Sequence, residues 1–258
     1  MNLLLSLIPM PLTAGTGNGF TQFFVNLYLQ LSDQFYQCFT YQNRYAYIVE
    51  GLKNTLIITV FAVLLGVILG TMVALVKVGH GNDPRKFRFA NGICTLYLTL
   101  IRGTPVVVQL MIMYYVILSQ TKVNDITAAI LAFGINSGAY VAEVIRSGIQ
   151  SVDKGQAEAG RSLGLSQRTT MVKIIFPQAL KNVLPAIGNE FIALLKETSV
   201  AGYIGIQDLT KGGDIIRSIT YLPFTPLLTT AAVYLVIVIG LTTVLTRLER
   251  RLHRSDNR

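Results

Sequence analysis

The chain has 258 residues, 52% hydrophobic and 14% charged, where a soluble domain carries about a quarter charged residues. Its formal charge is +9 and its mean hydropathy +0.52. A nucleic-acid binder gathers such charge on a soluble face; here the cations sit between apolar runs, which excludes that class and points to an integral membrane protein.

Residues 1–12 are apolar but lack a basic leading segment and a small-residue cleavage pattern, so no signal peptide is expected. Residues 20–47 are aromatic and polar, with Phe24, Leu27, Leu31 and Phe35 at weak amphipathic spacing. They read as a surface helix or an ordered loop rather than a span, within an extracytoplasmic segment over 1–47. A helix needs about 20 apolar residues to cross a bilayer. Leu52–Val76, Ile93–Leu118, Ile126–Ile145 and Pro226–Leu245 qualify. Val183–Ile206 qualifies in length while holding Glu190, Lys196 and Glu197. The expected fold class is an all-α integral membrane protein of about five transmembrane helices, with a membrane domain over 48–252 and a tail at 253–258. The connections of one side hold fifteen Lys and Arg residues and those of the other five. That asymmetry places the N-terminus outside and the C-terminus in the cytoplasm.

The connection between the third and fourth spans is long for a compact protein, and such loops are usually functional. Part of it, residues 158–177, reads EAGRSLGLSQRTTMVKIIFP. Gln156–Leu163 are good helix formers. Gly164 suits the left-handed end of a helix, and Ser166 suits the cap of a second one over Gln167–Phe176. Pro177 is expected to interrupt that second helix. Glu158, Arg161, Arg168 and Lys173 supply polar contacts, and Ala157, Gly160 and Gly164 permit close approach of a partner backbone. Periodicity alone fits equally well an amphipathic loop packed on its own spans.

Polar residues within spans are costly and are candidates for function. Arg102 opens Arg102-Gly103-Thr104-Pro105, where Gly103 and Pro105 should break the second span. A break lines a cavity in one reading; in the other it is a kink whose Arg102 reaches a carbonyl or carboxylate. Gln109, just beyond, can hydrogen-bond a solute. Glu143 and Arg146 share a helix face and read as an ion pair. Glu190 follows Gly188 and Asn189, about 10 Å into its span at 1.5 Å per residue, and a carboxylate there needs a positive partner. It either meets a cationic solute or pairs structurally with Arg102 or across a dimer interface. Tyr114, Tyr115 and Tyr140 suit packing or an aromatic belt better than a pocket.

Some features are missing from the sequence. There is no GxxxxGK[ST] loop, no nucleophile–base set, no metal-ligand cluster and no clear internal repeat. Cys38 and Cys94 fall in different parts of the chain, so no disulfide is expected.

The loop resembles the coupling motif of permease subunits of ATP-binding cassette importers: Glu158, Ala159, Gly164, Ile174 and Pro177 match, while Gly160 stands for the usual Ala and Phe176 for the usual Leu. GLKNTLIIT at 51–59, LIRGTPVVVQL at 100–110, AYVAEVIRSGIQSVDKGQAEAG at 139–160 and PQALKNVLPAIGNEFIALLKETSV at 177–200 are similar to the polar amino-acid branch of that family. The resemblance spans residues 48–252. It implies a type I importer permease fold in a bacterial cytoplasmic membrane. The chain itself would hold no cofactor, no metal and no catalytic residue. ATP and Mg would be bound by a partner ATPase, docked on Glu158, Ala159, Gly160, Arg161 and Gly164. An external solute-binding protein, a second permease subunit and membrane lipid complete the implied partners. The implied solute contacts are Glu190, Asn189, Gly103, Thr104 and Gln109, and a glutamate at 190 implies a basic amino acid. A glutamine permease with a structural Glu190 is the alternative within the family. Outside it stand a motor-independent secondary transporter, for which the loop would be dispensable, and a membrane enzyme, which would need a polar catalytic set.

Overall fold

Apolar runs broken by glycine, proline and polar caps fold into helices throughout residues 19–254, which the computed structural model describes, and no strand forms among them. The expectations for residues 1–12 and for the last residues of the tail lie outside that range. Helix α1 (Gly19–Phe35) leads through a π turn (Tyr36–Thr40) and a short 3-10 turn into α2 (Tyr45–Asn82). Then come α3 (Arg88–Arg102), α4 (Val106–Ile112) and α5 (Asp125–Gln150). The loop forms α6 (Lys154–Ser162) and α7 (Gln167–Thr170), followed by α8 (Phe176–Glu197), α9 (Leu209–Thr220) and α10 (Phe224–Arg254).

Among the described residues, α2, α5 and α10 are each long and apolar enough to cross a membrane. α3 and α4, extended by a π turn over Met113–Ile117, pass as one span bent by 108°. The expected fifth span at Val183–Ile206 is not among them: the chain there forms α8, 22 residues long with Pro185 and Glu190 inside it, and then a 3-10 turn over Thr198–Ile204. The extent of the second loop helix also needs correction. Pro177 interrupts the α-type hydrogen bonding, with a π turn directly before it, but it does not end the helical path, which runs on as α8. The second loop helix is therefore a single turn at Gln167–Thr170 that continues through a π turn (Met171–Ile175) into α8.

The centre of the bundle is α5, the most buried of the apolar spans. Association of helices in lipid gains little from the hydrophobic effect and depends on close van der Waals packing of small residues. α5 supplies Ala128, Ala129, Ala132, Gly134, Gly138 and Ala142, all buried. α2 answers with Gly66 and Gly70: a Cβ at Gly70 would lie 2.7 Å from Val141 Cβ, and one at Gly134 would lie 2.6 Å from Leu65 Cδ2. Phe133, Leu110, Leu194 and Ile58 close the core around this contact.

A second cluster sits at the other end of α2, where Cys38, Phe39 and Ile48 pack on Leu209 and Ile216 of α9. Asp208 caps α9, accepting from the backbone N–H groups of Thr210 (2.9 Å) and Lys211 (3.2 Å). Thr55 Oγ1 accepts from Leu209 N at 3.1 Å. On α9, outside the spans, Arg217 and Lys211 hold the Asp214 carboxyl below the usual carboxylate range.

Gly70→Ala is expected to destabilise the fold by about 1–3 kcal/mol through overpacking, although Ala is the better helix former. Gly240→Ala on α10, where a Cβ meets nothing within 4 Å, serves as the control. Thermal melts of both variants in detergent check this; a Gly70→Ala melting temperature at or above that of the wild type contradicts the packing argument.

Candidate functional site

The break in the second span is built by its own residues. α3 ends at Arg102, Gly103 N donates to Thr99 O at 3.0 Å, and Pro105 is extended at φ −64°, ψ 137°. A proline there cannot continue the ladder, so carbonyls are freed. Gln109 takes them up: its Nε2 donates to Ile101 O (2.7 Å), Thr104 O (3.0 Å) and Thr104 Oγ1 (2.8 Å). Its Oε1 accepts from Asn136 Nδ2 of α5 at 2.9 Å. Gln109 thus braces the broken helix and engages both ends of its amide within the chain. Gly103 and Thr104 lie exposed beside it.

Ser137, next to Asn136 and fully buried, donates from Oγ to Glu190 Oε1 of α8 at 2.9 Å. Adjacent residues on a helix point about 100° apart, so this dipeptide ties α5 to the broken span on one side and to α8 on the other. Glu190 is half-buried and Asn189 beside it is exposed. Among the described residues no ion pair to Glu190 is formed. Arg102 is engaged elsewhere, 3.9 Å from Glu143 and over the Tyr140 ring at 5.7 Å. That removes the reading in which Arg102 balances Glu190, and supports the one in which Arg102 reaches a carboxylate. Glu143 also pairs with Arg146, as their spacing predicts. Tyr114 and Tyr115 bond to Asp125 (2.9 Å) and to Tyr203 O (3.4 Å), which makes them braces for connections between helices.

The loop forms a compact double turn. Asp153 caps α6, Gly164 ends it at φ 77°, and Ser166 caps α7 by accepting from Thr169 N at 3.2 Å. Gly160 is buried, and a Cβ there would lie 2.7 Å from Thr170 Cγ2, so its small size is used inside the loop. Glu158, Ala159 and Arg161 face outward, as does Leu163, which is 79% exposed.

The sequence reading passed over Asn136, Ser137 and Leu163. The available signals were two polar side chains in an otherwise small-residue helix, and an apolar residue one turn after Ala159 in a charged loop.

Residues 66–254 match the family described as binding-protein-dependent transport system inner membrane component. A putative glutamine transport system permease of Rickettsia bellii is 38% identical over 208 residues, 80% of this chain and 93% of that protein. The arginine transport system permease of Bacillus subtilis is 38% identical over 212 residues, 81% of this chain and 94% of that protein. A crystal structure of an amino acid ABC transporter with histidines is 42% identical, superposes with a TM-score of 0.75, and is matched over 83% of this chain and 98% of its own. An inward-facing methionine ABC transporter shares the fold at a TM-score of 0.66 and 20% identity, over 80% of this chain and 96% of its own.

If Gln109 braces the break through Asn136, the pair will couple. A double-mutant cycle of Gln109→Leu and Asn136→Leu is expected to give about 0.5–1.5 kcal/mol of interaction energy in melting experiments. Additive effects contradict the bridge.

Proposed function

As the chain belongs to the family of binding-protein-dependent transport system inner membrane components, we propose that it is the permease subunit of an ATP-binding cassette importer of amino acids and that its solute is a basic one. The observation that carries the solute class is Glu190: a half-buried carboxylate that, among the described residues, accepts a hydrogen bond from the neutral Ser137, next to an exposed Asn189. A carboxylate so placed is matched by a cationic side chain, since a charged hydrogen bond is worth about 1.5–3 kcal/mol. The arginine permease of Bacillus subtilis and the transporter crystallised with histidines are in keeping with this.

In this reading two permease chains enclose the pathway, and an external binding protein delivers the solute. A partner ATPase, holding ATP and Mg, seats on the outward face of α6 around Glu158, Ala159, Arg161 and Leu163, with Gly160 and Gly164 shaping the turn. Nucleotide binding drives transport only if the motor contacts that face differently in the two orientations. The helical path runs on from the loop past Pro177, so movement of α6 and α7 reaches Glu190 through α8.

The second reading is a glutamine carrier. It is favoured by the Rickettsia bellii relative and by the Ser137 bond, which gives Glu190 a structural use.

Uptake into liposomes holding the permease, its ATPase and its binding protein separates the two. Glu190→Gln keeps the bond from Ser137 and removes the charge. Uptake of arginine, lysine or histidine relative to glutamine is expected to fall about tenfold or more, with ATP hydrolysis still stimulated by the binding protein. An unchanged preference supports the glutamine reading and a structural Glu190.

For coupling, Leu163→Glu exchanges an exposed apolar contact worth about 1.5–3 kcal/mol on burial for a charge. Co-purification of the ATPase and solute-dependent hydrolysis are expected to fall together. Uptake that survives loss of the ATPase points to a motor-independent transporter.

A further inference from the structure

We infer that α1 is an in-plane membrane helix whose aromatic face lies in lipid, in the leaflet from which α2 enters the bilayer. The inference rests on the membrane placement of the chain and not on its solute. Leu27, Phe20, Leu31, Phe24, Phe35 and Tyr28 follow one another round one face at helical spacing, all exposed, and the exposed Val25 and Leu29 widen that arc. Asp33 and Asn26 occupy the opposite side by the same 100° step, and Gln30 stands at its edge next to Phe23. α1 holds no Lys or Arg, and Asp33 is its one charged residue. Water-facing surfaces of soluble proteins rarely carry an apolar patch this continuous.

The rest of the chain fastens α1 without covering this face. Thr225 Oγ1, in the first turn of α10, donates to Gln34 Oε1 at 2.7 Å. Immediately after α1, the π turn buries Cys38 and Phe39 under α9. The C-terminal end of α1 is thereby held beside the start of α10, the end at which that span meets the headgroups. α10 is itself an exposed apolar rod, with 6% of its span window buried, and Phe224, Leu227 and Leu228 continue the apolar surface from the tether onward. The uncovered face of α1 therefore joins the exposed apolar surface of a span.

An in-plane helix buries its apolar face at the headgroup–acyl boundary, with aromatic rings favoured there. A protein that docks and leaves each cycle meets a face about as polar as the rest of the surface, and the Phe and Leu stripe of α1 does not fit that description.

The chain contains no tryptophan, so a single introduced one reports without background from this subunit. Phe24→Trp and, on the opposite side, Asn26→Trp are made in the full-length chain and reconstituted in liposomes with brominated or ordinary lipids. Leu31→Trp is a second apolar-face variant in case the first folds poorly. Helix content by circular dichroism confirms folding of each. Brominated lipid is expected to remove most of the emission of Phe24→Trp and Leu31→Trp while sparing Asn26→Trp.

Three outcomes overturn the inference: red-shifted, unquenched emission from both apolar-face variants; emission protected only when the extracytoplasmic binding protein is added; or equal quenching on both sides of the helix, as a spanning or fully buried helix gives. The wild-type chain, assembled with ATPase and binding protein in the same liposomes, is assayed for uptake beside the variants. A failure of uptake with quenching intact counts against the transport reading and leaves the placement of α1 standing.

Discussion

The close contact between α2 and α5 is the constraint from which the other arrangements follow. Helices immersed in lipid gain little by hiding leucines from one another, so the contact is made by small side chains meeting at van der Waals distance. Gly66 and Gly70 on α2 and Gly134 and Gly138 on α5 let the backbones approach until a methyl group at Gly70 or Gly134 would collide. This makes α5 the central wall of the bundle, and α10, largely uncovered, lies at its edge.

A wall so tightly held can carry polar side chains at depth. Asn136 and Ser137 are buried on α5 and point in different directions. One meets the amide of Gln109, and through it the carbonyls left by the break at Gly103–Pro105. The other meets Glu190. The broken span and α8 are thus indexed to the same two residues of one helix. The Gln109 amide takes up the Ile101 and Thr104 carbonyls at the break. Glu190, by contrast, has a hydrogen bond but no ion pair among the described residues, and Arg102 lies 3.9 Å from Glu143.

The loop on the cytoplasmic side of the proposed topology is stiffened by short-range devices. These are a side-chain cap at Asp153, a left-handed Gly164 and a cap at Ser166. Gly160 fits against Thr170, so the two turns move as a unit. Pro177 interrupts the α-type bonding, but the helical path runs on from the loop into α8. The distance from Phe176 to Glu190 along such a helix is about 21 Å at 1.5 Å per residue, with Pro185 between them.

The sequence by itself determined whatever depends on near neighbours along the chain. The apolar runs became helices, Gly103 and Pro105 broke the second span, Gly164 and Ser166 formed the turn, and Glu143 found Arg146 three residues away. Each of these is set by propensity, capping or the helical repeat, all of which act within about one or two turns. The extent of the second loop helix was misjudged on the same local evidence, because the helical path runs on past the proline at 177. Only the tertiary structure decided the partners of Gln109, Arg102 and Glu190, the inward use of Gly160, and the prominence of Leu163. Those depend on which face of which helix stands opposite, and helix-to-helix distances of 8–10 Å are fixed by packing between residues far apart in sequence, such as Ser137 and Glu190.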